Sequence, residues 1–180
     1  MKPFLTLDET SIDEQLSTSS RDGYSLREAA RAVVIDDNNA VALLHVTKGH
    51  YYKLPGGGIE ESEDPSEALE RELLEEIGTT AEIVANLGTI QEYRYYWNMN
   101  QISYCYLAKQ YGEKGEPDFT EKELIEGFEI VWAKNIDEAI TLLQSSKDTA
   151  DSSDQDITRN ITFMRLRDVA IAEKARLLIN

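Results

Sequence analysis

The sequence predicts an α/β/α sandwich: a mixed β-sheet between helices, with an extra C-terminal helix. Three observations carry this. Two strand-like runs, Glu28 to Ile35 and Val41 to Val46, flank an Asp36-Asp37-Asn38-Asn39 turn. An amphipathic helix follows between Asp64 and Gly78. Further strands and a second helix come after it, and strands interleaved with helices suit a layered α/β architecture.

The elements follow in order. Thr6 to Gly23 is polar and acidic, so residues 1–23 are expected to be an arm or a small extra element. The main domain is expected over residues 24–144. In its first strand Ala30, Ala32 and Val34 alternate with Arg31, Val33 and Ile35, and this strand should pair with Val41 to Val46 as a hairpin. Tyr51 to Leu54 is a short strand leading into Pro55-Gly56-Gly57-Gly58. Asp64-Pro65-Ser66-Glu67 starts a helix: an acid at the cap, proline at the first helical position and Glu three residues after the cap. Leu69, Leu73, Leu74 and Ile77 fall on one arc, read as the core face, and Gly78 closes the helix. Strands are expected over Ala81 to Tyr96, Ile102 to Ala108 and Gly127 to Trp132, with a polar loop from Tyr111 to Glu123. Ile136 to Leu143 is a helix capped by Asn135. Residues 145–156 lack apolar character and read as a flexible loop. Residues 157–180 form a helix with Ile161, Met164, Ile171, Ala175 and Leu178 at helical spacing, packing on the domain.

Composition narrows the function. The 180-residue chain has a formal net charge of −16. Such an acidic protein repels a phosphodiester backbone, so a nucleic-acid polymer is not expected as partner. No apolar run approaches the roughly 20 residues that span a membrane, and the first residues do not read as a secretion signal. A cytoplasmic location is expected. Cys105 is the only cysteine, so it forms no internal disulfide; it sits in an apolar strand. His45 and His50 read as surface or packing residues.

The chemistry concentrates between Gly57 and Thr79. Glu72, Glu75 and Glu76 share one helix face, where like charges three and four residues apart repel. A cation between them would relieve that, and hard carboxylate oxygens suit Mg²⁺ or Mn²⁺. The alternative is a solvated acidic face. The register decides: Gly57, five residues, Glu63, seven residues, Arg71-Glu72, then Glu75-Glu76 and Gly78. This resembles the Nudix box of the Nudix hydrolase family, departing only at Thr79, where an aliphatic residue is usual.

The resemblance covers roughly Glu28 to Leu143. It implies a mixed sheet between helices, with the box as loop-helix-loop, and hydrolysis of a nucleoside diphosphate linked to another group with a divalent metal. By position, Glu72, Glu75, Glu76 and the Gly57 carbonyl match metal ligands. Glu63 would contact metal or water, or orient Arg71; Arg71 would hold Glu75. A metal-activated water is expected to attack phosphorus, with its proton going to Glu75 or Glu76, or to an acid on a later loop. Glu121, Glu123 and Glu126 stand there, and Glu126 is favoured. Arg31 and Arg27 are phosphate contacts or surface ion pairs. Tyr93 to Trp97 form an aromatic cluster in which Arg94 and Tyr95 are candidate substrate contacts.

The expected substrate is a small nucleotide, first a nucleoside triphosphate, including oxidised or non-canonical ones. No proline lies between Pro65 and Pro117, which removes the NADH-type signature and argues against the ADP-ribose type. The alternatives are a dinucleoside polyphosphate, a nucleotide sugar, or a sensing domain that binds without cleaving. A homodimer is expected because dimers are common in the family.

Overall fold

The computed structural model describes residues 2–12, 18, 20–146 and 155–179. Seven strands form one mixed sheet: β1 (Leu5–Leu7), β2 (Ser25–Ile35), β3 (Val41–Val46), β4 (Tyr51–Lys53), β5 (Thr80–Arg94), β6 (Met99–Tyr111) and β7 (Phe128–Ala133). The order is β1-β5-β6-β2-β3-β4, and β7 pairs with β3. The helices are α1 (Glu9–Ile12), α2 (Pro65–Ile77), α3 (Glu121–Glu126), α4 (Ile136–Gln144) and α5 (Gln155–Arg176).

Strand alternation sends β2 and β3 residues to opposite faces. Ala30, Ala32, Val34, Ala42 and Leu44 pack under α2 with Leu69, Leu73 and Ile77. Val33, Val41 and Leu43 face the other way, onto α4 and α5 through Ile140, Leu143 and Ile171. The expected sandwich is present, C-terminal helix included.

The expected β2–β3 hairpin forms only at its turn, where Ile35 pairs with Val41. Beyond that the strands part. β2 pairs in parallel with β6 over its whole length, and β3 pairs antiparallel with β7. The gap is filled by the glycine loop. Ala30 N–H donates to the Gly57 carbonyl at 3.0 Å, Ala32 N–H to Pro55 at 3.2 Å, and Ile59 N–H to Glu28 at 3.1 Å. Gly56 has φ +122°, and a Cβ there would overlap the Ala30 carbonyl. Only glycine permits that approach, and it fixes the box loop against the central sheet.

Helix α2 has the expected caps. Asp64 accepts from Ser66 and Glu67 N–H, Glu67 reaches back to Asp64 N–H, and Gly78 closes the helix at φ +62°. The core face is narrower than expected. Leu74 is 56% exposed, whereas Ala68, Leu69, Leu73 and Ile77 are buried. A helix lying on a sheet buries one stripe, and Leu74 falls beyond its edge. The Tyr111–Glu123 segment ends as α3, capped by Thr120 with Glu123 in reciprocal contact. Within residues 1–23, β1 adds to the sheet beside β5. The flexible loop expected at 145–156 falls largely outside the described residues.

Candidate active site

A cavity of about 460 Å³ opens where α2, the glycine loop, β2, the β5–β6 hairpin, α3 and α5 converge. One wall is acidic. Glu72 and Glu76, one helical turn apart on α2, line it beside Gly56 and Gly57. Glu76 is buried; its Oε1 accepts from Lys53 Nζ at 2.8 Å and its Oε2 from Gly56 N–H at 2.6 Å. The Glu72 carboxylate stands against the Cα of Gly57, where a Cβ would overlap it. Burial first, and then the neighbouring Glu76, push the Glu72 carboxyl above the ordinary range.

Arg71 organises the box. Its Nε donates to Glu63 at 2.8 Å, Nη1 to Glu72 at 2.9 Å and Glu75 at 3.3 Å, and Nη2 to the Gly58 carbonyl at 2.9 Å. The guanidinium holds the Glu63 carboxyl down at about 2, helped by the Glu60 N–H. Among the roles expected for Glu63, orienting Arg71 is the one this geometry displays. Glu75 is half-exposed and faces Arg71, so two of the three box carboxylates, Glu72 and Glu76, reach the cavity.

The other walls are basic despite the acidity of the chain. Arg27 and Arg31 come from β2, Arg94 and Gln101 from the hairpin, and Asn160 and Arg167 from α5. Beneath them lies a buried network. Glu92 accepts from Arg94 at 2.6 Å and from Gln101 at 2.7 Å, and Asp168 accepts from Arg167 at 2.7 Å and from Leu54 N–H at 3.0 Å. Burial, then repulsion by Arg167, brings the Arg31 guanidinium down to about 10. From α3, Glu123 and Glu126 face the cavity and Glu121 does not line it. Glu123 is engaged in the cap of its own helix, whereas Glu126 is contacted by Lys122 only at 3.8 Å.

The structure thus gathers Gly57, Glu72, Glu76, Arg31, Arg94 and Glu126 around one cavity, with Glu63, Arg71 and Glu75 just behind its acidic wall. Tyr95 is exposed, in a tight turn outside the cavity lining. Sequence reading missed Lys53, Gln101, Asn160 and Arg167. One signal was available: Asp168 falls on the stripe of Ile161, Met164, Ile171 and Ala175, and an acid on an apolar stripe needs a buried partner.

The donor set fits a hard divalent cation. Two carboxylates crowd the same wall, one of them disfavoured as an anion by the other, and the Gly57 carbonyl keeps a second lone pair beyond its Ala30 bond. As arranged, no group of three or more Asp, Glu, His or Cys among the described residues is set to hold a metal. Glu76 lies on Lys53 and Glu75 on Arg71.

The family model described as NUDIX domain matches residues 25–157. An RNA pyrophosphohydrolase of Psychromonas ingrahamii is 40% identical over 65 residues, 36% of this chain and 36% of that protein. The chain thus matches little more than a third of that relative's length. An 8-oxo-dGTP diphosphatase of Buchnera aphidicola is 33% identical over 96 residues, 51% of this chain and 69% of that protein. The structure of a NUDIX hydrolase from Nitrosomonas europaea superposes with a TM-score of 0.55 at 18% identity, covering 81% of this chain and 89% of that one, and shows the same fold. With the motif in register, the domain model spanning most of the chain and the fold shared, the chain belongs to the NUDIX domain family.

Proposed function

We propose that the chain is a Mg²⁺- or Mn²⁺-dependent pyrophosphohydrolase that cleaves the diphosphate linkage of a nucleoside triphosphate, oxidised or non-canonical ones included. The observation that carries this is one cavity lined by both chemistries: Glu72 and Glu76 together with Arg27, Arg31 and Arg94. Carboxylates alone would repel a polyphosphate and arginines alone would hold it without chemistry; together they suit a metal-assisted phosphoryl centre. The likeness to an 8-oxo-dGTP diphosphatase favours a triphosphate.

When bound, the metal lowers the pKa of its water and screens the phosphate charge. Glu72, Glu75, Glu76 and the Gly57 carbonyl are the residues that would hold it. Arg71 keeps Glu63, Glu72 and the Gly58 carbonyl in register. Arg31 and Arg94 hold non-reacting phosphate oxygens. Glu126 takes the proton of the attacking water: it borders the cavity without a close partner, whereas Glu76 is pinned between Lys53 and Gly56 and Glu123 serves its helix cap. The new phosphorus–oxygen bond forms as the anhydride bond breaks, and the leaving phosphate takes that electron pair.

The test is a phosphate- and pyrophosphate-release screen with Mg²⁺ and Mn²⁺ over ordinary and oxidised triphosphates, dinucleoside polyphosphates and nucleotide sugars, with Glu72→Gln alongside. Turnover of triphosphates that the variant loses supports the reading. No turnover, with the same nucleotides still raising the melting temperature, would make this a sensing domain.

A further inference from the structure

Helix α5 lies almost wholly beyond the matched domain, which ends at residue 157, yet it builds part of the cavity. Asn160, Met164 and Arg167, spaced four and three residues apart, all line it. The Arg167 side chain is 2% exposed. Its Nε is used by Asp168 at 2.7 Å, and its Nη1 stands 3.7 Å from Glu92 Oε2. Its Nη2 is buried with no hydrogen-bond partner among the described residues. Arg31, on β2, repeats the pattern: Nη1 donates to the Ala30 carbonyl at 3.1 Å, and the buried Nε has no partner.

Buried guanidinium donors without acceptors are unfavourable and uncommon. Here two belong to residues that line one cavity, from elements far apart in sequence. Four arginines line the cavity, Arg27, Arg31, Arg94 and Arg167, and the buried Glu92 and Asp168 engage only Arg94 and Arg167 among them by hydrogen bond. A structural role does not account for both open donors. Asp168 alone already ties α5 to the sheet through Leu54 N–H, and Arg31 makes no ion pair within 4 Å among the described residues, only the bond to its neighbour's carbonyl.

We propose that Arg31 and Arg167 form an anion subsite that binds a phosphate group of the substrate, so that α5 is part of the substrate-binding site. That the anion is a substrate phosphate rests on the hydrolase reading above; the subsite itself stands on the two open donors. Arg167 acts as a binding and positioning residue. Planar guanidinium groups suit phosphate oxygens better than ammonium does, so lysine is a demanding replacement.

The test uses the full chain in chelator, with inorganic tripolyphosphate as probe and calorimetry as readout, so that binding cannot run through a metal. Wild type is expected to bind, and Arg31→Lys and Arg167→Lys to bind about tenfold more weakly. Arg165→Lys, on the same helix but outside the cavity, is expected to match wild type. Met164→Glu places a carboxylate on the same stripe of α5 and is expected to abolish binding even if Arg167→Lys does not fold. With Mg²⁺ and a turned-over nucleotide, Arg167→Lys should raise KM more than it lowers kcat. Failure of the wild type to bind tripolyphosphate in chelator, or unchanged binding in folded Arg31→Lys and Met164→Glu, overturns the subsite. Binding that behaves as expected in a protein that hydrolyses no nucleotide would overturn the hydrolase reading and leave the subsite standing.

Discussion

Lys53 Nζ lies 2.8 Å from Glu76 Oε1, with the Lys53 side chain 14% exposed and that of Glu76 4%. The Lys53 ammonium offsets the charge of a carboxylate proposed above to hold the metal. Its removal should therefore have two effects of opposite sign. Lys53→Met leaves a buried carboxylate with the Gly56 N–H as its remaining hydrogen bond, and the metal-free protein should lose about 3 kcal/mol. The same variant frees Glu76 for a cation, so Mg²⁺ should raise its melting temperature more than it raises that of wild type. Urea unfolding in chelator and a Mg²⁺ titration of melting temperature check both. A Mg²⁺ response equal to that of wild type would separate Glu76 from the metal.

Gly57 and Gly56 should fail differently when replaced by alanine. At Gly57 the added Cβ meets the end of the flexible Glu72 side chain; at Gly56 it meets backbone, in a conformation with φ +122°. Gly57→Ala should stay within about 1 kcal/mol of wild type in stability while losing Mg²⁺ binding and turnover, because Glu72 is pushed from its place. Gly56→Ala should cost about 1–3 kcal/mol from backbone strain alone, with the clash added. Paired unfolding and activity measurements distinguish the two.

Much of this was legible beforehand. The bounds of α2 are written in Asp64, Pro65 and Gly78, and those of α4 start with the Asn135 cap. The box register located Glu72, Glu76 and Arg71 in one site. What could not be read was long-range. The parallel pairing of β2 with β6 joins residues such as Ala32 and Tyr106, and no local pattern announces such a partner. The splaying of β2 from β3 follows from the glycine loop docking between them. A lone Arg167 reads as a solvent-facing helix residue until Asp168 and Glu92 are seen beneath it. Lys53 had no signal at all, since its claim on Glu76 depends on β4 meeting α2 in space.

Glu126 and Glu123 both border the cavity, and their substitutions should separate chemistry from folding. Glu126 has no close partner, so Glu126→Gln should leave stability within about 0.5 kcal/mol and lower kcat by about 10²–10⁴-fold. Glu123 accepts from Thr120 N–H and Oγ1 at 2.8 Å each. Glu123→Ala should cost about 0.5–2 kcal/mol through the lost cap, with a smaller change in kcat. Steady-state kinetics, with unfolding curves for both variants, decide it. A larger kcat loss in the Glu123 variant would move the base one helical turn back.

The Glu63–Arg71 contact should make the box acid-sensitive in a defined window. Hydrogen bonds from Arg71 and from the Glu60 N–H hold the Glu63 carboxyl at about 2, against an ordinary value of 4.5. The folded state thus favours the charged form. The stability this contributes is fully present above about pH 4.5 and is lost as pH falls toward about 2. Glu63→Gln removes the contribution at every pH. In metal-free urea unfolding, wild type should exceed the variant by a constant margin near neutrality, and the margin should shrink steadily through that window. Because Arg71 also holds Glu72 and the Gly58 carbonyl, the same variant should loosen the acidic wall and weaken Mg²⁺ binding at neutral pH. A margin that stays flat down to about pH 2 would mean that Arg71 keeps its geometry without Glu63, through Glu72 and the loop alone.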